Sequence, residues 1–271
     1  ASVAGDTGWT VNQAGTSMYK NFSYGATIAL DTVVTPTRKN GYTGVAYTKS
    51  GTGTLNTTTN VFTVGDGAGT ITVAATGIAA PTAAISTSST TKTYNRSSTT
   101  LTASNTTAYD SGITVKYSFG SSDTESGEYG NWTTPSTTNT TTVAKDAHLG
   151  KKYYKVAVTA SDGVLTDVTT TSTTAKYVEL VRRQITFDAT TNSGTLNGTS
   201  PLYTYWNTTT MYTTATGNTT SNVPRATKTG YDFTGWYTTA EGNGFQIYDS
   251  NLTLTSVTVS GYTGGGGYWI A

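Results

Sequence analysis

The sequence predicts an all-β protein built from several small cores in series. Three observations carry that expectation. About a quarter of the chain is threonine, a β-branched residue that fits the pleated, half-exposed face of a strand and loses rotamer freedom in a helix. Apolar residues make up only 35% of the 271 residues and come in short runs, enough for separate small cores but not for one large one. The 30 glycines interrupt alternating stretches in the way turns do. The punctuation divides the chain into 1–78, 79–181 and 182–271.

In the first segment, "SMYKNFSYGATIALDTVV" (17–34) alternates apolar and polar residues as a half-buried strand pair would. "GYTGVAYTKSGTGTLN" (41–56) gives a further strand with glycine turns. "VFTVGDGAGTITVAAT" (61–76) reads as two strands joined in a hairpin at "GDGAG", with Val61, Thr63, Ile71 and Val73 alternating with their neighbours. "GIAAPTAAI" (77–85), with Pro81 and no charge, suits a short link.

The second segment offers short strands at regular spacing, the pattern of a sandwich. The most informative piece is "KDAHLGKKYYKVAVTASDG" (145–163). Alternation there puts Tyr154, Val156 and Val158 on the core face, and Tyr153, Lys155 and Ala157 on the other. "SDG" (161–163) reads as a turn. "VELVRRQITF" (178–187) has no glycine or proline break, so a strand is expected to run on into the third segment as a stiff junction.

The third segment opens with "ITFDA", in which Ile185 and Phe187 point one way. Later, Gly230 and Gly235 bracket "YDFT" and let the chain turn on either side of a short strand. Tyr231, Phe233 and Trp236 are assigned to the core. In so small a module each buried aromatic contributes roughly 1.5–3 kcal/mol.

Two resemblances follow from these stretches. "YGATIAL", "AYTKSGTGTL" and "FTVGDGAGTITVAAT" in the first segment resemble bacterial immunoglobulin-like domains of surface-protein repeats. In the second, an acidic Asp146, a short turn and Tyr-x-Val-x-Val are similar to the tyrosine corner of an immunoglobulin fold, with Tyr153 or Tyr154 as the corner residue. No cysteine takes the usual disulfide position, so packing alone must join the sheets. In the third, "VPRATKTGYDFTGWYTTAEGNG" together with "ITFDA" and "YWIA" resembles the Listeria–Bacteroides repeat, the internalin B-repeat module. This copy departs from that pattern in its long "YTYWNTTTMYTTATGNTTS" stretch and its Gly264–Gly267 run. The resemblances imply two tandem immunoglobulin-like β-sandwiches followed by a β-grasp-like module of the kind found in tandem on bacterial surfaces.

Composition narrows function. Charged residues make up 11% of the chain, against a usual quarter. Net charge is +1, and the cations are scattered. No basic stripe forms, so nucleic acid is not expected. No cysteine is present, which excludes disulfides and thiol chemistry. No apolar run is long enough to span a membrane. A neutral, hydroxyl-rich surface and the small-residue start "ASVAGDTGW" point to an extracellular or cell-surface chain whose signal peptide has been removed. Of ten N-x-[ST] sequons, Asn56, Asn105, Asn139, Asn207 and Asn218 are the candidate glycosylation sites.

No catalytic, cofactor-binding or metal-binding residue is nominated. His148, the one histidine, reads as a turn residue. No G-x-S-x-G elbow surrounds any serine. Asp123, Glu125 and Glu128 share a loop but lack the spacing of a calcium-binding loop. Trp132, Trp206 and Trp269 remain as candidate ligand or interface aromatics. The expected function is structural: a non-catalytic subunit or segment of a surface fibre, stalk or layer that self-associates. The alternatives are an adhesin for a cell-surface ligand, glycan among them, and a non-catalytic module of a large secreted enzyme.

Overall fold

The computed structural model describes residues 10–11, 18–33, 40–94, 96–205, 210–237, 246–253 and 255. These residues are almost entirely β, in several sheets. No helix among them is long and apolar enough to cross a membrane.

In the first segment, Val61–Thr63 lies between Thr27–Ala29 and Thr54–Asn56, while Ala46–Gly51 pairs with Gly69–Ala74. Ile28, Leu30, Tyr47 and Phe62 form the core they share. The expected hairpin at 65–69 does not form, because its two strands belong to different sheets. Phe62, rather than Val61 or Thr63, is the buried residue of its strand. Glycines let the chain cross over its ring. A Cβ on Gly53 or Gly69 would stand 2.6 or 2.9 Å from the ring, and one on Gly65 would stand 2.3 Å from the Gly53 nitrogen. The strand pair expected over 17–34 is also divided. Met18–Tyr19 pairs with Thr10–Val11, and Leu30–Val33 closes as a single helical turn. Asp31 in that turn accepts hydrogen bonds from Asn60 Nδ2 (3.0 Å) and the Tyr47 hydroxyl (2.8 Å), which hold its carboxyl below the usual range.

The middle segment is a sandwich of three strands against five. One sheet runs Ala84–Ile85, Thr99–Ser104, Thr140–Val143. The other runs Thr90–Thr93, Lys176–Val181, Gly150–Ser161, Thr114–Ser122, with Val168–Thr171 also on Gly150–Ser161. Thr90–Thr93 pairs with Lys176–Val181 in parallel, and the other pairings are antiparallel. Strict alternation buries Val156, Val158 and Ala160 from one strand and Thr99, Leu101 and Ala103 from the facing one. Tyr154 packs against this core, and burial pushes its phenol up to about 12. Between Val168–Thr171 and Lys176–Val181 the buried Ser172 continues the pairing: its N–H donates to the Val156 carbonyl (2.8 Å) and its hydroxyl accepts from the Val156 N–H (3.1 Å).

In the third segment, Arg183–Ile185, Leu202–Thr204, Met211–Tyr212 and Thr220–Ser221 form an antiparallel sheet. Thr195–Asn197 pairs with Arg225–Thr227, and Gly235–Tyr237 with Gln246–Asp249. Ile185, Phe187, Leu202, Met211, Ile247 and Tyr248 are the core. Among the described residues, the only helical element of this segment is the 3-10 turn Thr190–Asn192. Asp188 stabilises it by accepting from the Thr191 hydroxyl (2.6 Å), the Thr190 hydroxyl (2.7 Å) and the Thr190 N–H (2.7 Å). These bonds hold the exposed Asp188 carboxyl down at about 2.

Both links between segments are packed. At the first, Ile78 joins Ile113 and Ala160 in a small core flanked by Tyr42, Tyr109, Leu165 and Val168. The Tyr109 hydroxyl donates to the Ala79 carbonyl (2.6 Å), and a Cβ on Gly41 would strike the Tyr109 ring at 2.2 Å. Burial, then the Asp162 carboxylate that it meets, pushes the Tyr42 phenol up. Asp162 also shapes the 161–163 turn by accepting from the N–H groups of Val164 and Leu165.

At the second link the strand runs on as the sequence implies, with only Arg182 between Lys176–Val181 and Arg183–Ile185. Arg182 is 2% exposed. Its guanidinium lies 3.6 Å from the Tyr212 ring centre and 4.5 Å from that of Tyr205. It donates to the Gly217 and Thr214 carbonyls, to the Tyr205 hydroxyl (3.0 Å) and to Asn218 Oδ1 (3.3 Å). Tyr94, from the middle segment, packs edge-on against Tyr205 at 5.1 Å.

Two outcomes are expected. Arg182→Ala removes several bonds to a buried cation, each worth roughly 1.5–3 kcal/mol. It lowers the thermal midpoint and raises hydrogen exchange in residues 202–204 and 210–221 while leaving Gly150–Ser161 protected. Asp188 has a folded value below its ordinary 3.8, so its contribution is present above that value and disappears as pH falls toward about 2. Acid titration of third-segment stability shows this loss in the native chain and not in Asp188→Asn.

Candidate functional site

Of the candidate surface aromatics, Trp132 lies on the outer face of the five-stranded sheet, near Tyr129, Tyr153 and Tyr177. Past Ser122 the chain leaves through the loop 123–128 and returns along Thr114–Ser122, where Ser121 bridges Gly130 and Tyr117 bridges Ser136. Thr133 fixes the return: its N–H donates to the Phe119 carbonyl (2.9 Å) and its Oγ1 accepts from the Phe119 N–H (2.9 Å).

This return places Trp132 against Gly120. A Cβ there would stand 2.6 Å from the indole. Indole Nε1 donates to the Tyr129 carbonyl (2.9 Å), so the ring is held in place and still 40% exposed. Lys155, opposite Gly120 in the register, carries its ammonium 4.8 Å from the Tyr129 ring. Tyr153 and Tyr177 face each other across strands at 6.0 Å, edge to face, with Lys151 Nζ 4.7 Å from the Tyr177 ring. Burial, then the Glu125 carboxylate and Tyr153, push the Tyr129 phenol up. Asp123 meets Lys152 at 3.2 Å. The surface therefore interleaves rings and ammonium groups. It can stack on a sugar ring or receive a neighbouring protein surface. The same alternation that turns Tyr154 inward turns Tyr153 and Lys155 to the outer face, where they stay half-buried; Tyr129 and Tyr177 carry no comparable sequence signal.

The third-segment aromatics divide. Trp236 packs edge-on against Phe187 at 5.1 Å and donates Nε1 to the Pro224 carbonyl (2.7 Å). Phe233 is half-buried, against Trp236 at 5.5 Å and beneath the Arg225 guanidinium at 5.1 Å. Tyr231, assigned to the core, instead stands 69% exposed. Gly230, at φ 81°, turns the chain there and Tyr231 bridges back to Lys228, so its ring lies out under the Lys228 ammonium at 4.4 Å.

The sequons differ in what their amides do. Asn105 Nδ2 donates to the Thr107 carbonyl (3.2 Å), and Asn139 Nδ2 donates to the Ala103 carbonyl (3.0 Å). Asn56 uses its oxygen, which accepts from the N–H groups of Thr58 and Thr59. Asn218 uses its oxygen on Arg182. Trp206, Trp269 and Asn207 lie outside the described residues.

His148 is part-buried, with Nε2 3.0 Å from the Val178 carbonyl. The Tyr94 phenol donates to the Asp146 carbonyl (3.4 Å). Among the described residues, no group of three or more His, Asp or Glu could hold a metal ion.

Protein-family models, curated proteins and solved structures were compared with the chain, and none matches.

Gly120→Val is expected to lift the indole off the sheet. Tryptophan emission shifts to longer wavelength, and Trp132→Phe in the same background removes the shift. An unchanged spectrum would contradict the close packing.

Proposed function

We propose that the chain is a non-catalytic extracellular structural protein, a subunit or segment of a bacterial surface fibre, stalk or layer assembled through contacts between copies. One observation carries this: three small β cores in series are joined by two packed links, the Ile78–Ile113–Ala160 cluster and the caged Arg182. Packed links convert a string of domains into a rod, which transmits load or spans distance. The sparse charge and abundant threonine support an exterior location.

The strand order of the middle segment supports its immunoglobulin-like assignment. Its first strand divides between sheets, and the second part runs parallel to the last strand. The B-repeat resemblance gains support from the roles of its residues. Pro224 and Trp236 are bonded to each other. Gly235, at φ 139°, lies where a Cβ would strike the Tyr248 carbonyl oxygen at 2.1 Å. The β-grasp-like arrangement is proposed with that resemblance.

A second reading, an adhesin that binds glycan, is favoured by Trp132, which lies against backbone and presents exposed ring surface.

Sedimentation velocity and electron microscopy test the structural reading. Purified chain is expected to form species larger than one copy as concentration rises, and fibres or arrays on source cells. Dispersed single copies at high concentration, with bare cells, would remove it. A glycan array that binds the native chain and not Trp132→Ala would favour the adhesin.

A further inference from the structure

Natural sheets guard their edges with charge, proline, bulges or a covering segment, because an open row of N–H and C=O groups recruits another strand. Among the described residues, Gly69–Ala74 has none of these. Its six residues, Gly-Thr-Ile-Thr-Val-Ala, carry no charge and no proline. It pairs in unbroken register with Ala46–Gly51 on one side. Among the described residues nothing hydrogen-bonds to its other side. The sheet it belongs to has only two strands, fewer than a stable sheet ordinarily needs. Ile71 and Val73, which pack against the Phe62 core, stay half-exposed along this edge.

The pattern is also self-complementary. Antiparallel pairing sets opposed residues on the same face of a sheet, and a slip by one residue opposes a core-facing residue to a solvent-facing one. A two-fold axis at Thr72 opposes Ile71 of one copy to Val73 of the other on the core face. It opposes Thr72 to Thr72 and Thr70 to Ala74 on the solvent face. No charges meet.

We infer that Gly69–Ala74 is an interaction edge whose occupant is the same strand of a second copy, paired antiparallel about Thr72 to give a continuous four-stranded sheet. Such a contact is isologous and closes a pair of copies; arrays need a second, different contact. The inference rests on the proposed self-association and names one of its surfaces.

The chain has no cysteine, so single introduced thiols report cleanly. Under mild oxidation, Thr72→Cys is expected to give a disulfide-linked pair at protein concentrations where exposed Tyr24→Cys stays single. Thr70→Cys mixed with Ala74→Cys is expected to link more than either alone. Thr72→Lys is expected to weaken association at least tenfold in sedimentation, with circular dichroism and thermal midpoint near those of the native chain. Association of the native chain that is unchanged in Thr72→Lys, or a Thr72→Cys chain that links no better than Tyr24→Cys, overturns this edge and leaves the structural reading standing. A native chain that never associates overturns both.

Discussion

A buried guanidinium with carbonyls for partners holds the second half of the chain in place. Cations are seldom buried without compensation, since desolvation costs several kcal/mol. Arg182 meets that cost with two tyrosine faces, two backbone carbonyls, a phenol and an amide oxygen. All of these groups come from residues 205–218, whereas Arg182 itself follows directly on Lys176–Val181, the last strand of the middle sandwich. Loss of the cage would leave the Tyr94–Tyr205 contact and the continuous chain to couple the two segments.

The first link works by different physics. Its cluster is apolar, so its strength follows buried area and tolerates changes of salt. The tyrosines Tyr42 and Tyr109 add directed contacts at the rim: a carboxylate for one, a carbonyl for the other. A chain with so few charges has little use for surface ion pairs such as Lys152–Asp123. Threonine hydroxyls take over much of the polar work instead. Thr82, Thr87 and Thr133 each satisfy backbone groups of a neighbouring strand or loop.

The β class and the inward face of 150–161 were legible in the sequence because period-2 alternation fixes which residues share a face. Partner choice was less legible. Alternation over 61–76 is identical for a hairpin and for two strands in separate sheets, and the decision rests on a long-range contact, the seat of the Phe62 ring against Gly53 and Gly69. Tyr231 was misplaced for a related reason: alternation with Phe233 holds only within a strand, and residues 232–234 form none; the strand begins at Gly235. Arg182 was invisible because a two-arginine pair in a sequence shows charge, while its burial depends on tyrosines more than twenty residues away. Trp132 was identifiable as a loop aromatic; its seat on Gly120 was not.

The parallel pairing of Thr90–Thr93 with Lys176–Val181 has a mechanical side. These strands lie next to each other although they belong to opposite ends of the middle segment, and each leads toward one of the two links. Tension applied through the links pulls them past each other along their length. The ladder between them is then loaded in shear, with its hydrogen bonds sharing the force, instead of opening one bond at a time from an end. The middle sandwich is thus arranged to resist extension along the chain axis more than peeling from its side.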